Sequence, residues 1–334
     1  MKNKSNLPII DTFGRVHTNL RLSITDRCNI RCFYCMPVNV QFLPRTELLN
    51  YEEMVRIVRL LTPAGLDKIR ITGGEPLVRK DVDQLIRQLV SIDGILDVAL
   101  TTNGLLLDQM AASLKQAGLH RLNISLDALN PEVFEKITRR SGLEKVLAGI
   151  ETAQQVGFTN IRINAVSIRG MSETEIIPLT KFCRQRNLTL RFIEYMPLDA
   201  DRNWDLTQVL SGADLRRVIE AEWGPLTPVQ RKDPSQPAVD FAFENGPGKI
   251  GFINSVSQPF CSECNRMRLT ADGKFRNCLF SAEDWDLRGP LRAGASDHEI
   301  LEIIRHSIAV KKPGHGIDDV DFMPPQRAMY QIGG

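Results

Sequence analysis

Short strand-like runs alternate with helical patterns along the chain from about residue 19 to residue 197. Alternation of this kind predicts parallel βαβ units, in which helices cover a sheet. Six such units are fewer than the eight that close a barrel, so we predict an α/β fold with an open, partial (β/α)6 TIM-like barrel. The predicted strands are Leu20–Ile24, Lys68–Thr72, Val98–Thr102, Leu122–Leu126, Ile161–Val166 and Thr189–Tyr195, and the helices are Tyr51–Leu61, Val82–Val90, Gln109–Gln116, Leu143–Val156 and Glu173–Gln185.

Four of the predicted strands carry polar residues on one face, although a buried parallel strand should be apolar on both faces. If the opposite faces pack on the helices, these polar rows point into the barrel, because side chains alternate along a strand. A lumen lined by arginine, asparagine and hydroxyl groups would suit a polar, anionic ligand. The alternative is an antiparallel sheet with one solvated face, which the intervening helical patterns argue against. The rows are Arg21, Ser23 and Thr25; Lys68, Arg70 and Thr72; Arg121, Asn123, Ser125 and Asp127; and Arg162 and Asn164.

The alternating pattern ends near Pro197, and the remaining chain has a different organisation. Leu210–Glu222 has a helical pattern, and Phe241–Glu244 and Lys249–Phe252 flank a turn rich in glycine and proline, which is typical of a hairpin. We therefore predict a barrel region at residues 1–214 and a C-terminal region at residues 215–334 that packs over the barrel opening.

Six of the seven cysteines fall in two tight groups, which favours metal ligation in a reducing compartment over a disulfide framework. The first group, Cys28, Cys32 and Cys35, follows the first predicted strand with CxxxCxxC spacing. Three thiolates from one loop can bind three irons of a cubane iron–sulfur cluster and leave the fourth iron open. The spacing would also allow a disulfide, unrelated core thiols or structural zinc, but zinc would need a fourth ligand, which no nearby histidine or cysteine supplies. Cys183, which stands alone, is best interpreted as a buried core thiol.

The second group consists of Cys261, Cys264 and Cys278, again without an obvious fourth cysteine. A CxxC pair alone is weak evidence, since zinc ribbons and redox pairs also use it. Zinc with His298 or His306 as the fourth ligand is the main alternative to a second iron–sulfur cluster with its own open iron.

Distinctive segments also follow the predicted strands, at the end where barrel active sites lie. Gly73-Gly74-Glu75-Pro76 follows the second strand, and adjacent glycines let the backbone approach a ligand closely. Arg266 and Arg268 lie between the cysteines of the second group and alternate like neighbours on one strand face. Guanidinium groups can bind phosphate oxygens through two parallel hydrogen bonds. Two arginines in this arrangement are, however, more often a solvated pair on the protein surface.

The CxxxCxxC loop, with Tyr34 just before its last cysteine, resembles the radical S-adenosylmethionine (SAM) superfamily. From about residue 8 to the C-terminal Gly333-Gly334, CxxxCxxCMP, ITGGEP, TTNG, EYMP and CSxCNRxRLTADGKxRxCLF together resemble its GTP 3′,8-cyclase family of molybdenum cofactor biosynthesis. The resemblance implies a lyase in which a 5′-deoxyadenosyl radical from SAM removes hydrogen from ribose C3′ of GTP. The product would be (8S)-3′,8-cyclo-7,8-dihydroguanosine 5′-triphosphate, the first intermediate of that biosynthesis.

The resemblance also implies roles for individual residues. Two [4Fe–4S] clusters are implied, one on Cys28, Cys32 and Cys35 for SAM cleavage and one on Cys261, Cys264 and Cys278 that meets the guanine. The implied SAM contacts are Tyr34, Gly74, Ser125 and Met196; the implied GTP contacts are Arg21, Arg70, Thr101, Arg162, Arg266 and Arg268; and the tail residues Gly333 and Gly334 would reach the active site. Arg162 departs from the family, in which lysine is common at this position. The guanidinium group of arginine is a broad, planar fork, whereas the ammonium group of lysine is a point charge.

The implied partners are the enzyme that converts the product to cyclic pyranopterin monophosphate and a reducing protein such as flavodoxin or ferredoxin. We expect a monomer or homodimer in the cytoplasm. The net charge of +2 argues against a nucleic-acid partner, no apolar run could span a membrane, and the first six residues lack the apolar core of a signal peptide. Two other hypotheses are a radical SAM peptide maturase, which would carry a longer C-terminal cysteine series, and a non-catalytic zinc-binding scaffold.

Overall fold

Strands and helices alternate up to residue 194 in the computed structural model, which describes residues 7–333. Every predicted strand is confirmed within two residues, and the pairs between neighbouring strands are parallel. The strands are β1 (Asn19–Ser23), β2 (Lys68–Thr72), β3 (Asp97–Thr102), β4 (Arg121–Ser125), β5 (Ile161–Ser167) and β6 (Thr189–Glu194). The helices are α1 (Tyr51–Leu61), α2 (Val82–Val90), α3 (Leu107–Gln116), α4 (Pro131–Thr138), α5 (Leu143–Gln155) and α6 (Ile176–Gln185).

Helix α4 is an addition to the predicted elements, and it supports the first cysteine group. It begins after Asn130, whose side-chain oxygen accepts hydrogen bonds from the backbone of Glu132 and Val133 at 2.9 and 3.2 Å. Asparagine before a proline is a typical helix start, so the signal was present in the sequence. At the other end of α4, backbone carbonyl groups accept hydrogen bonds from Arg31 and Phe33 of the cysteine loop.

The C-terminal region contributes six strands and four helices to the described chain. The predicted hairpin is confirmed, since its two strands pair antiparallel. The elements are α7 (Gly212–Trp223), β7 (Leu226–Pro228), β8 (Val239–Phe243), β9 (Lys249–Ile253), β10 (Arg266–Leu269), β11 (Lys274–Arg276), β12 (Trp285–Asp286), α8 (Arg288–Arg292), α9 (Asp297–Ala309) and α10 (Met329–Ile332).

All twelve strands form one sheet in the order β12-β11-β10-β1-β2-β3-β4-β5-β6-β9-β8-β7. Strand β10 pairs in parallel with β1 and β9 pairs in parallel with β6, so eight neighbouring strands run in one direction. Among residues 7–333 the sheet stays open, because β9 and β10 do not pair with each other. The open barrel is therefore confirmed, and the C-terminal region extends its sheet on both sides. The boundary at residue 214 stays a prediction, since this one sheet crosses it.

The apolar core lies between the sheet and the helices. Leu22, Ile71, Leu100, Ile124 and Ile163 are fully buried on successive parallel strands. Burial of each such side chain contributes about 1.5–3 kcal/mol, so the helix-facing side of the sheet dominates the stability. None of the helices within residues 7–333 is long and apolar enough to cross a membrane.

Strand register brings three arginines into one row on the opposite side of the sheet. Arg21 of β1 is aligned with Arg70 of β2 and with Arg268 of β10. Aligned side chains on neighbouring strands lie on the same face, so this row projects into the barrel. Arg21 and Arg268 are buried and Arg70 is half-buried, so this row of positive charge is the first structural sign of a functional site.

Candidate active site

The first cysteine group lies in the loop after β1, and its three cysteines line one cavity. The backbone of Cys35 and Met36 donates hydrogen bonds of 3.0 and 2.9 Å to the carbonyl oxygen of Cys32, which folds the loop into a tight turn. Burial raises the pKa of Cys28 to about 11. Burial also raises the pKa of Cys32, and the nearby anionic groups of Asp127, Cys35 and Cys28 raise it further. Three thiolates are stable together in this loop only when a metal compensates their charge. The donor set therefore fits an iron–sulfur cluster.

A cavity, here called the cysteine-loop cavity, lies beside this group. Its lining includes all four residues predicted to contact SAM: Tyr34, Gly74, Ser125 and Met196. They come from the loops and strand ends after β1, β2, β4 and β6, so distant sequence segments meet at one edge of the sheet. This is the edge at which barrel active sites lie.

Gly74 joins the loop after β2 to the cysteine loop. Its N–H donates to the carbonyl oxygen of Thr25 at 2.8 Å, and the next N–H, of Glu75, donates to that of Arg27 at 2.8 Å. A Cβ atom at Gly74 would lie 2.5 Å from the carbonyl oxygen of Arg27. Glycine is needed here because the two backbones touch.

Glu75, for which the sequence predicted no individual role, joins the loops after β2 and β3. Its buried carboxylate accepts hydrogen bonds from Thr102 Oγ1 at 2.8 Å, from Asn103 N at 2.6 Å and from Leu77 N at 2.9 Å. Burial raises the pKa of Glu75 to about 7, against the effect of these donors. Asn103 Nδ2 lies 3.8 Å from Cys28 Sγ, so this network reaches the first cysteine group. The sequence signal for this network was the position of GGEP (residues 73–76) and TTNG (residues 101–104) at the ends of neighbouring strands.

Asp127 holds Tyr34 in position over the same cavity. The Tyr34 hydroxyl donates to Asp127 Oδ2 at 2.7 Å, and the backbone of Val166 donates to Oδ1 at 2.8 Å. Burial raises the pKa of Asp127 to about 6. Asp127 belongs to the predicted polar row of β4, but its partner could not be predicted.

A second cavity, here called the arginine cavity, lies next to the first. Its lining includes five of the six residues predicted to contact GTP and all three cysteines of the second group. The two cavities share Thr101, Asn164, Ile193, Met196 and Met329 in their walls, so they adjoin. The five predicted residues are Arg21, Arg70, Thr101, Arg266 and Arg268.

The arginine cavity concentrates uncompensated positive charge. The buried Nε atoms of Arg21 and Arg70 have no hydrogen-bond partner among the described residues. Burial lowers the pKa of Arg21, and repulsion from Arg70, Arg266 and Arg268 lowers it further. Buried donors without partners are costly, and an anionic ligand would satisfy both the donors and the charge.

Arg162, the remaining predicted GTP contact, does not line either described cavity. Burial and repulsion from Arg191 and Arg121 lower its pKa to about 10. Its role as a GTP contact stays a prediction. Arg191 of β6 does line the arginine cavity, and it pairs with Asp240 at 2.9 Å. The signal available for Arg191 was its place between the apolar residues Leu190 and Phe192 of β6.

The second cysteine group is surrounded by cations. Arg266 Nε donates to Cys264 Sγ at 3.3 Å. Burial alone would raise the pKa of Cys264, but Arg266 and Lys311 outweigh it and lower the pKa to about 6. A thiol that ionises this readily is a ready metal ligand.

Histidine ligation in the second group finds no support in the geometry. His298 and His306, the residues considered for zinc, are exposed on α9 and do not line the arginine cavity. His315 does line it, but Nε2 of its ring donates to Ser255 O at 2.9 Å and Nδ1 accepts from Ile317 N at 3.1 Å. Both ring nitrogens are therefore engaged, and three thiols remain as the donor set.

The C-terminal tail enters the space between the two cavities. Met329 lines both cavities, and Tyr330 lines the cysteine-loop cavity. Gly333 has a φ of +86°, and a Cβ atom there would lie 2.9 Å from both Ser23 Cβ and Thr72 Cγ2. The tail position therefore requires glycine at residue 333. Gly334, the other predicted tail residue, lies outside the described residues.

Comparison with known proteins identifies the family to which this chain belongs. The family model for the radical SAM superfamily matches residues 22–183, and the model for molybdenum cofactor synthesis C matches residues 188–317. A GTP 3′,8-cyclase of Rhodopirellula baltica is 50% identical over 332 residues, which cover 98% of this chain and 92% of the relative. The chain belongs to the GTP 3′,8-cyclase family.

Other members of the GTP 3′,8-cyclase family are less similar in sequence but match over the same share of this chain. The enzyme of Streptomyces coelicolor is 41% identical, over 98% of this chain and 96% of the relative. The mitochondrial GTP 3′,8-cyclase of Arabidopsis thaliana is also 41% identical, over 98% of this chain and 83% of the relative. The chain is thus a radical SAM enzyme of molybdenum cofactor biosynthesis, with an iron–sulfur cofactor and SAM.

Solved structures support the fold of this family member. The crystal structure of Streptococcus suis SuiB bound to S-adenosylmethionine has a TM-score of 0.64 and 16% identity, over 90% of this chain and 69% of that chain. SuiB bound to precursor peptide SuiA has a TM-score of 0.62 and 17% identity, over 83% of this chain and 61% of that chain. At this identity the likeness shows the open barrel alone.

Proposed function

We propose that the enzyme converts GTP to (8S)-3′,8-cyclo-7,8-dihydroguanosine 5′-triphosphate in the two adjoining cavities. The observation that carries the proposal is the arginine cavity, in which buried guanidinium groups with unpaired donors lie beside three thiols. A triphosphate supplies the anionic oxygens that this cavity lacks. Family membership supplies the identity of the nucleotide.

The cysteine-loop cavity is the proposed SAM site. Cys28, Cys32 and Cys35 would hold a [4Fe–4S] cluster, which supplies the electron for reductive cleavage of SAM when it is bound. Gly74 leaves the backbone of its loop close to the cysteine loop, and the Tyr34 hydroxyl is fixed by Asp127. Ser125 and Met196 complete the wall, and the packed tail residue Tyr330 helps to exclude water from it.

The arginine cavity is the proposed GTP site. Arg21, Arg70 and Arg268 are aligned across three strands, so the sheet fixes their spacing before the ligand arrives. This preorganisation lowers the cost of ordering the triphosphate. Cys261, Cys264 and Cys278 would hold a second [4Fe–4S] cluster at the guanine end, next to Arg266. Because Thr101 and Met196 line both cavities, the ribose would lie at their junction, within reach of the SAM site.

The test is anaerobic turnover with SAM, dithionite and GTP deuterated at C3′, read by mass spectrometry. We expect 5′-deoxyadenosine that carries one deuterium, together with a product isomeric with GTP. Deoxyadenosine without deuterium and with unchanged GTP would contradict the proposed substrate. A matched reaction with ATP deuterated at C3′ should give no labelled deoxyadenosine, since family membership assigns the guanine nucleotide.

We also propose the partners that such an activity requires. A reductant such as flavodoxin or ferredoxin would supply two electrons per turnover, one to cleave SAM and one, with a proton, to complete a product isomeric with GTP. A second enzyme would convert the product to cyclic pyranopterin monophosphate. The cytoplasmic location, the monomeric or homodimeric state and the boundary at residue 214 stay predictions. Sedimentation of the loaded enzyme with and without each purified partner would test the state and the associations.

A further inference from the structure

A buried lysine, Lys311, lies against the second cysteine group. Lys311 comes two residues after the end of α9 and is 4% exposed. Its Nζ atom lies 3.7 Å from Cys264 Sγ. Nζ also lies 3.1 Å from the carbonyl oxygen of Arg266 and 3.4 Å from that of Cys264. These contacts fix the ammonium group beside one sulfur atom.

Within residues 7–333, the anionic groups that offset the positive charge of Lys311 are the thiolates of the second cysteine group, Cys264 and Cys278. The remaining contact is His17 Nε2 at 2.9 Å. His17 is completely buried, and burial together with Lys311 lowers its pKa to about 3, so its ring is neutral and accepts the hydrogen bond. The nearest carboxylate of this network, Asp11, lies 3.8 Å from His17 and is already paired with Arg15 at 2.5 Å.

The N-terminal segment holds this arrangement in place. Arg15 Nη1 donates to the carbonyl oxygens of Cys261 at 2.7 Å and Pro313 at 3.0 Å, and Nη2 donates to that of Lys312 at 2.8 Å. One guanidinium therefore ties the second cysteine group to the chain immediately after Lys311. These backbone hydrogen bonds from Arg15 hold the segment that carries Lys311 against the second cysteine group.

Within residues 7–333, no cationic side chain donates a hydrogen bond to Cys28 Sγ, although Arg31 lies close enough to lower the pKa of Cys28. The donor near Cys28 Sγ is the neutral amide of Asn103 at 3.8 Å, and the nearby Glu75 raises the pKa of Cys28. Cys264 Sγ, by contrast, faces two cationic donors, Arg266 and Lys311. The two cysteine groups thus present unequal electrostatic surroundings.

We propose that Lys311 is a positioning residue that raises the reduction potential of the cluster bound by the second cysteine group, acting through Cys264. The inference rests on the proposed second cluster. Hydrogen bonds to ligand sulfurs and nearby charge set the potentials of iron–sulfur clusters, because positive charge stabilises the more negative, reduced state. Burial keeps this charge from being screened by salt.

The experiment measures the potential of the second cluster alone, in full-length chains in which Cys28, Cys32 and Cys35 are replaced by serine. Anaerobic potentiometric titration followed by electron paramagnetic resonance compares this parent with Lys311→Met, which keeps the length and removes the charge. We expect the ratio of reduced to oxidised cluster at a fixed potential to fall at least tenfold, a shift of about 59 mV for one electron. Lys311→Arg should recover most of the shift.

Lys312→Met is the matched control, because it removes the same charge one residue further along at an exposed position. It should leave the potential unchanged. An unchanged potential in Lys311→Met with normal iron content overturns the inference and leaves the second cluster intact. Absence of iron from the serine parent would instead overturn the second cluster, and the inference with it.

A second measurement covers the case in which Lys311→Met does not retain its cluster. The serine parent is labelled with 15N-lysine, reduced and examined by pulsed electron paramagnetic resonance. We expect a 15N coupling from Lys311 Nζ that persists in Lys312→Met. Its absence from a reduced, iron-loaded parent would contradict the contact with Cys264.

Discussion

Arg268 Nη1 donates a hydrogen bond of 2.6 Å to the carbonyl oxygen of Gly333. Arg268 is a proposed GTP contact on β10, and Gly333 is at the end of the described chain, so the C-terminal tail meets the proposed nucleotide site directly. The contact satisfies one donor of a buried arginine whose pKa is lowered to about 9 by burial and by Arg266. The same side chain therefore contacts the tail and is a proposed contact of the nucleotide.

Gly333→Ala should prevent the tail from seating. The added Cβ would lie 2.9 Å from Ser23 and Thr72, and the positive φ disfavours alanine. A displacement of about 1 Å at a reacting geometry costs about 10²-fold, so we expect a fall of that order in kcat with both clusters retained. Gly314→Ala is the control, since its Cβ would meet only Gly316 N at 4.0 Å. Normal turnover by Gly333→Ala, measured by product formation, would remove the tail from the mechanism.

Arg327→Met should release the tail at its base. Arg327 pairs with Asp272 at 2.9 Å and with Asp284 at 2.5 Å, immediately before the tail. We expect carboxypeptidase to remove the tail about tenfold faster, which corresponds to about 1.4 kcal/mol of lost docking free energy. The exposed substitution Arg217→Met should leave the cleavage rate unchanged. Equal protection of the tail in both variants would mean that the ion pairs do not anchor it.

Arg70→Met should stabilise the ligand-free protein while weakening its response to triphosphate. Arg70 is half-buried with a buried Nε atom and is repelled by neighbouring arginines, and replacing such a cation with an apolar side chain is neutral or stabilising. Loss of a charged hydrogen-bond donor costs about 1.5–3 kcal/mol, so we expect GTP to bind about ten- to a hundredfold more weakly. Thermal unfolding with inorganic tripolyphosphate, and calorimetry with GTP, measure the two effects.

Arg59→Met provides the exposed control for this substitution. It should change neither the unfolding temperature nor the shift that tripolyphosphate produces. Arg70 is a cleaner target than Arg266, because Arg266 also donates to Cys264 Sγ. A full tripolyphosphate shift in Arg70→Met would show that this arginine does not contact the phosphates.

Gly74→Ala should disrupt the first cysteine group selectively. The added Cβ would lie 2.5–2.7 Å from backbone atoms of Asp26 and Arg27, which cannot move without moving the cysteine loop. We expect loss of the iron bound by Cys28, Cys32 and Cys35, with the iron of the second group retained. Iron analysis and Mössbauer spectra of the reconstituted variant measure this outcome. Full iron content would mean that the loop accommodates the side chain.

The sequence predicted the six barrel strands and their polar rows because both depend on local periodicity. Arg21 and Arg70 could be assigned to the lumen from alternation alone, once the strands were parallel, whereas Thr101 was indicated only by the family resemblance. Helix α4 had a local signal in Asn130, but it lay in a segment without a strong helical pattern. The six clustered cysteines were equally readable from their spacing.

Other features depend on contacts between distant parts of the chain. Arg15 contacts the carbonyl oxygen of Cys261 across a separation of 246 residues, and Lys311 reaches Cys264 after the whole of α9. Neither partner is indicated by the residues around it. The parallel pairing of β10 with β1 is equally long-range, since it depends on the completed sheet. Spacing and periodicity carry no information about such pairings.

The placement of β9 and β10 has a consequence for biosynthesis of the protein itself. These strands cover the outer edges of β6 and β1, and both are made after residue 248. Until they emerge from the ribosome, the first half of the sheet has two uncovered edges whose backbone groups can pair with other chains. A fragment that ends at residue 214 would keep those edges permanently and would be prone to aggregate. The C-terminal third therefore acts as an internal safeguard against aggregation as well as a part of the active site.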